Sequence, residues 1–133
     1  MEITVRREAT LDPSEFRQVL VDSTLGERRP VDDPERMARM VAGSNLIVTA
    51  RDAAGRLVGV ARSVTDFAYC CYLSDLAVAR DLQRAGVGRR LIEATLAELE
   101  PGAAIILLAA PAAVDYYARV GFRQHPSAWI RGR

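Results

Sequence analysis

The chain is poor in the residues that build metal sites and nucleophilic centres. Its 133 residues include one histidine, His125, and two cysteines, Cys70 and Cys71. The cysteines are sequence neighbours. In a strand, neighbours project to opposite faces, so these two are badly placed to bond to each other. A zinc site built from Cys and His needs three or four ligands, and no metal is expected here. The same scarcity argues against a Cys–His nucleophilic pair. Charge of one sign is also lacking. The formal net charge is +1, with no run of five or six like charges, so the footprint of a nucleic-acid binder is absent. Long hydrophobic runs are missing as well. The longest strongly apolar stretch, residues 103–114, falls short of the ~20 residues of a spanning helix and contains Pro111. The opening residues 1–7 lack the apolar core of a signal peptide. No membrane partner is expected, and a cytoplasmic location is the default expectation.

What remains is an ordinary single domain over residues 1–133, with apolar residues at 50%, enough for one buried core. No internal repeat, linker or low-complexity tract interrupts it. Residues 3–6 read as a first strand. Asp12-Pro13 and Asp33-Pro34 each pair an N-cap with a proline at the first helical position. Apolar stripes follow both, Phe16, Val19, Leu20 and Ser23 in one, Met37, Met40 and Val41 in the other. The polar stretch 25–32 between them reads as a loop.

The period then shortens. Residues 46–50 and 57–61 form a hairpin about the turn 52–55. Thr65-Asp66 interrupts, and 69–78 is a third long strand. Within it, strict alternation puts Tyr72, Ser74 and Leu76 on one face and Asp75 on the other. Residues 86–99 are helical, with Leu91, Ile92, Leu96 and Leu99 on one side, and Pro101-Gly102 ends the helix. The apolar run 103–110 has the pattern of a strand buried on both faces. Pro111 starts a short helix to Arg119, with Gly121 as its C-cap. Residues 122–124 and 128–130 are candidate last strands. This order predicts an α+β fold with one parallel pairing, between the strands that flank helix 86–99.

The segment richest in chemistry is Leu82-Gln83-Arg84-Ala85-Gly86-Val87-Gly88-Arg89-Arg90. It joins a strand to a helix. The first amides of a helix have no internal partner and carry the positive end of its dipole. Gly86 and Gly88 present no side chain to block an approaching phosphate. Arg84, Arg89 and Arg90 add positive charge, unfavourable in a first turn unless an anion sits there. A plain turn with solvated arginines is the competing reading. A P-loop is excluded because the segment has no lysine, and the dinucleotide fingerprint fails at Leu91, where it needs a third glycine.

Two stretches carry a family resemblance. Asp75-Leu76-Ala77-Val78 followed by Gln83-Arg84-Ala85-Gly86-Val87-Gly88 resembles the acetyl-CoA motif of the GNAT N-acetyltransferases, Q/R-x-x-G-x-G/A after a strand ending in L-A-V. Tyr117-Ala118-Arg119-Val120-Gly121-Phe122 resembles the second signature of that superfamily, Y-x-x-x-G-F. One helix and one apolar strand lie between them, as in the family. The approach to the first motif, residues 61–66, is most similar to small bacterial members and to plastid arylalkylamine-type enzymes.

The resemblance implies a central, mostly antiparallel mixed sheet flanked by helices, with a splayed parallel strand pair holding pantetheine. Leu76, Ala77 and Val78 would then contact pantetheine through the backbone, and Gln83, Arg84, Ala85, Gly86, Val87, Gly88 and Arg89 would hold the pyrophosphate. Tyr117 would be the general acid for the departing thiolate. The alternative is an aromatic packed beside Phe122, and Tyr116 is expected to be structural. Some relatives carry a Glu base on the cofactor strand, where this chain has Tyr72. Asp66 and Asp75 are further candidates for the base or the acceptor site, against plain roles as a turn residue and a structural hydrogen-bond acceptor. Arg62 is expected to be a solvated strand residue and His125 a surface one. The implied activity is acetyl transfer from acetyl-CoA, without metal, to a small-molecule or peptide amine by direct attack in a ternary complex. A non-catalytic acyl-CoA-binding or protein-interaction module on the same fold stays open. The family likeness also implies a homodimer through the C-terminal strands.

Overall fold

A computed structural model of the chain describes residues 2–133. Both Asp-Pro pairs start helices. Asp12 accepts hydrogen bonds from the Ser14 amide at 2.9 Å and its hydroxyl at 2.8 Å, and opens α1 (Pro13–Asp22). Asp33 accepts from the Arg36 amide at 3.0 Å and opens α2 (Pro34–Ala42). Each such cap is worth about 0.5–2 kcal/mol. The loop between these helices contains one short 3₁₀ turn, Leu25–Arg28.

Five strands form one sheet whose spatial order is the chain order: β1 (Ile3–Glu8), β2 (Leu46–Asp52), β3 (Leu57–Thr65), β4 (Cys70–Val78) and β5 (Ala104–Ile106). All pairings are antiparallel except β4–β5, which is parallel because α3 (Val87–Ala97) carries the chain back across the sheet. Phe16, Val19 and Leu20 of α1 and Met37 and Val41 of α2 pack on Ile47, Val60 and Ala77. On the opposite face, Val87 and Leu91 of α3 pack on Leu46, Val48, Ala61 and Leu73. Gly59 permits that close approach, since a Cβ there would lie 3.1 Å from Leu91 Cδ1 and 3.3 Å from Val87 Cγ1. Leu96, expected on the packed side of α3, is 48% exposed. Among the described residues no helix is long and apolar enough to cross a membrane.

The sheet departs from simple alternation at one place that matters. Arg62 stands opposite Asp75, but Ser63 stands opposite Leu73, so Ser74 is an extra residue in β4, a β-bulge. The bulge changes which face the following residues meet. Leu73 and Leu76 both pack on the α3 side, whereas Ala77 belongs to the α1/α2 core. The expected grouping of Tyr72, Ser74 and Leu76 against Asp75 is therefore wrong. Tyr72 and Asp75 share the α1/α2 face, and Leu76 lies on the other.

The C-terminal third differs from expectation for a related reason. The run 103–110 is not a strand buried on both faces. Only Ala104–Ile106 pairs, with Cys70–Tyr72, and exposure alternates, leaving Ile106 at 56% and Leu108 at 41% while Ile105 and Leu107 pack on the α3 side. Residues 122–124 and 128–130 form no strands, so among the described residues β5 is an edge of the sheet. The expected helix from Pro111 is a 3₁₀ turn, Pro111–Ala113, followed by the single turn α4 (Tyr116–Arg119).

Candidate active site

The parallel pair opens immediately before the bulge. β4 and β5 are partners only as far as Tyr72 and Ile106, and β4 continues to Val78 with no strand on that edge. An unpartnered strand edge presents alternate backbone N–H and C=O groups to whatever enters. Leu76 and Val78 are half-buried along this stretch, and Ala77 is buried. The last carbonyl, that of Val78, accepts from Gln83 Nε2 at 2.9 Å, so the Gln83 side chain ties the end of the strand to the loop that follows.

That loop ends in the N-terminus of α3. Gly86 is the N-cap, at φ +82°, and no side chain caps the first amides. Arg84 also has positive φ, at +71°. Residues 83–86 are exposed. The amides of Val87, Gly88 and Arg89 thus head the helix dipole without a protein partner of their own, the electrostatic setting that favours an anion. The three arginines differ. Arg89 Nη2 donates to the Arg119 carbonyl at 2.8 Å and Arg90 Nη2 to the Ile3 carbonyl at 3.0 Å, which joins α3 to α4 and to β1. Arg84 makes no side-chain hydrogen bond or ion pair among the described residues.

Gly88 also lies against a tyrosine. A Cβ there would lie 2.5 Å from the Tyr116 hydroxyl, with Val78 Cγ2 at 3.9 Å. Tyr116, not Tyr117, is therefore the tyrosine whose hydroxyl meets the glycine loop. Its phenol is pushed above its ordinary value by burial, with Arg89 and Arg119 pulling the other way. Tyr117 lies between two rings, Tyr116 at 5.3 Å and Phe122 at 5.5 Å between centroids, both edge to face. Its phenol is raised by burial first and by Tyr116 second, and Arg29 lowers it in opposition.

The acidic candidates separate cleanly. Asp66 is a turn residue. Its Oδ1 accepts from the amides of Ala68, Tyr69 and Cys70 at 2.9, 2.8 and 3.1 Å, which hold its carboxyl below the usual range, the Tyr69 amide most strongly. Asp75 has a fully buried side chain clamped by two guanidiniums, Arg62 Nε on Oδ2 and Arg29 Nε on Oδ1, each at 2.5 Å. Arg62 is not a solvated residue. It is buried at 7% exposure, donates to the Met40 carbonyl and to Ser44 and Ser74 hydroxyls, and lies 5.7 Å over the Phe16 ring. Burying Asp75 on the helix-covered face is what recruits a second charge to it. His125 is exposed and accepts from the Ser127 amide at 3.2 Å through Nδ1. Among the described residues no group of His, Cys, Asp and Glu is placed to hold a metal ion.

The model of the acetyltransferase (GNAT) domain matches residues 21–131. The chain belongs to the GNAT acetyltransferase family. It is 31% identical to the chloroplastic serotonin N-acetyltransferase 2 of Oryza sativa subsp. japonica over 134 aligned residues, covering 96% of this chain and 64% of that protein. It is 28% identical to the uncharacterized N-acetyltransferase ycf52 of Pyropia yezoensis over 112 residues, covering 80% of this chain and 63% of that protein. The chain thus spans just under two thirds of the length of these relatives. A probable acetyltransferase from meticillin-resistant Staphylococcus aureus, SA2161, superposes with a TM-score of 0.80 over 99% of both chains at 17% identity, which shows the shared fold. The chain is built on the expected mixed sheet with a parallel β4–β5 pair.

Proposed function

We propose that this GNAT domain transfers the acetyl group of acetyl-CoA to a primary amine by direct attack in a ternary complex. The observation that carries the reading is the uncapped α3 N-terminus behind Gly86, set beside the open edge of β4. In this reading the backbone of Leu76, Ala77 and Val78 holds pantetheine and polarises the thioester carbonyl, and the segment from Gln83 to Arg89 holds the pyrophosphate, with the unpartnered amides of Val87, Gly88 and Arg89 at its head. The amine nitrogen forms a bond to the thioester carbon, and the carbon–sulfur bond breaks. Tyr117 gives its phenolic proton to the sulfur, the proton lost by the amine leaves to water, and water returns one proton to the phenolate. Asp75 is engaged by two guanidiniums and Asp66 by three amides, so neither carboxylate is available as the base in this scheme. No covalent enzyme intermediate is needed.

The test is an acceptor panel of aryl, aliphatic, amino-acid and peptide amines with acetyl-CoA, read as free thiol. Thiol release that depends on the amine supports the proposal. CoA binding with no amine-dependent release across the panel would make the chain a non-catalytic acyl-CoA-binding or protein-interaction module.

The loop makes its own prediction. Gly86→Glu forces a side chain into φ +82° and sets a carboxylate among the α3 amides. Electrostatic repulsion of about 1–2 kcal/mol together with blocked amides should weaken CoA binding by roughly 30-fold or more, measured by calorimetry. Unchanged affinity would remove the loop from the binding site.

A further inference from the structure

Arg29 sits in the stretch between α1 and α2 that carries no sequence motif, yet its guanidinium converges on the centre of the sheet. Nε donates to Asp75 Oδ1 at 2.5 Å and Nη2 donates to the Ser74 carbonyl at 2.8 Å, while Nη1 holds the neighbouring Arg28 carbonyl at 2.9 Å. Ser74 is the bulged residue of β4, whose carbonyl falls out of the ladder with β3. Its hydroxyl accepts from Arg62 Nη2 at 2.9 Å, and Arg62 is in turn fastened to Met40 and Ser44 at the end of α2. The bulge is therefore clamped twice, by Arg62 from β3 and by Arg29 from the loop.

Resting on the acyl-transfer reading, we propose that Arg29 is a positioning residue that fixes the β4 bulge, and through it the backbone groups that β4 turns toward the open groove. A one-residue slip in a strand exchanges the two edges to which successive N–H and C=O groups point. Ser74 sets that parity for Leu76, Ala77 and Val78. Pairing with β5 also stops at Tyr72, two residues before the bulge, so the kink and the opening coincide. Arg29 is itself held rigidly. Gly26, in the turn that leads to it, packs so closely on α1 that a Cβ would lie 3.2 Å from the Leu20 carbonyl oxygen and the Val21 amide nitrogen. Two residues after Arg29, the Val31 carbonyl accepts from Arg17 Nε of α1 at 2.8 Å. The loop between the first two helices is thus fastened to α1 on both sides of Arg29 and to β4 through it.

The experiment compares wild type, Arg29→Met, Arg29→Lys and the exposed control Arg39→Met as full chains. Steady-state kinetics, CoA affinity by calorimetry and amide hydrogen exchange without substrate are read on each. Arg29→Met should lower kcat by about tenfold or more, with CoA affinity within about threefold of wild type. Exchange of the amides at 73–78 should quicken by about tenfold, a local opening that the control does not show. Arg29→Lys keeps the charge but reaches only one of the two acceptors, so it should fall between wild type and Arg29→Met. A kcat within about twofold of wild type, or a lower kcat with unchanged exchange at 73–78, would overturn the proposal. If Arg29→Met does not fold, wild-type behaviour of Arg29→Lys in both readouts overturns it. If wild type shows no amine-dependent turnover, the acyl-transfer reading fails, and the exchange data alone decide the positioning role.

Discussion

Tyr117→Phe is expected to lower kcat by about 10²–10⁴-fold while acetyl-CoA affinity stays within about threefold of wild type. The substitution keeps the ring, and so keeps the edge-to-face contacts with Tyr116 and Phe122 that hold it. Only the hydroxyl is lost. Burial pushes that phenol above its ordinary value of 10.0, against the opposing pull of Arg29. The sign matters. A raised value means the proton stays on the oxygen throughout neutral and mildly alkaline solution, ready for a thiolate of comparable basicity. The pH profile of kcat should accordingly show no fall from this group until above about pH 10. With a tyrosine that only packs, kcat would stay within about threefold. Loss of binding at constant kcat would instead describe a tyrosine that touches the thioester without protonating it.

The parts of this site that are visible in the sequence are the local ones. Gly86 and Gly121 adopt φ of +82° and +95°, conformations that L side chains resist, so their positions are written into the chain as glycine. Asp12 and Asp33 cap the helices that begin one residue later, and a cap is decided within four residues. The parallel β4–β5 pair follows from a helix standing between two strands. The contact between the Tyr116 hydroxyl and Gly88 was less visible. Tyr116 reaches Gly88 because α4 is a single turn displaced from Pro111, and its length depends on contacts from α3.

The parts that stayed hidden are non-local. The bulge at Ser74 is a property of the register between β3 and β4, and alternation counted along β4 alone cannot reveal it. Arg29 lies 46 residues from Asp75 in a stretch of loop composition. A signal did exist, since an aspartate in a long strand and an arginine in its neighbour are candidates for a cross-strand pair. That signal names Arg62 and not Arg29. The apolar composition of 103–110 overstated β5 because burial of its second face depends on an element packed over that face, and Ile106 and Leu108 stay exposed there.

Removing the charge at the centre of the clamp should be among the most destabilising single changes available. Asp75→Ala leaves Arg62, whose side chain is 8% exposed, and Arg29, at 19%, facing each other without a counterion. Breaking a buried pair by deleting one partner costs about 3–5 kcal/mol, a large share of the roughly 5–15 kcal/mol that holds such a domain together. The melting temperature followed by circular dichroism should fall by on the order of 10–20 °C. A fall of less than about 3 °C would mean that the two arginines find water or new acceptors, and that the cluster is not the closed arrangement described. The apolar triple variant Arg29→Met, Asp75→Leu, Arg62→Met should recover much of the loss, because a buried ion cluster is often replaceable by packed hydrophobic volume. Recovery should be incomplete, since the Met40 carbonyl and the Ser44 hydroxyl lose the guanidinium they now share, about 0.5–1.5 kcal/mol for each hydrogen bond, and keep only the bond between them. Turnover should not return with stability, because the Ser74 carbonyl and hydroxyl are then both released. A triple variant that regained both would reduce the cluster to a source of stability and leave the bulge to hold its own shape.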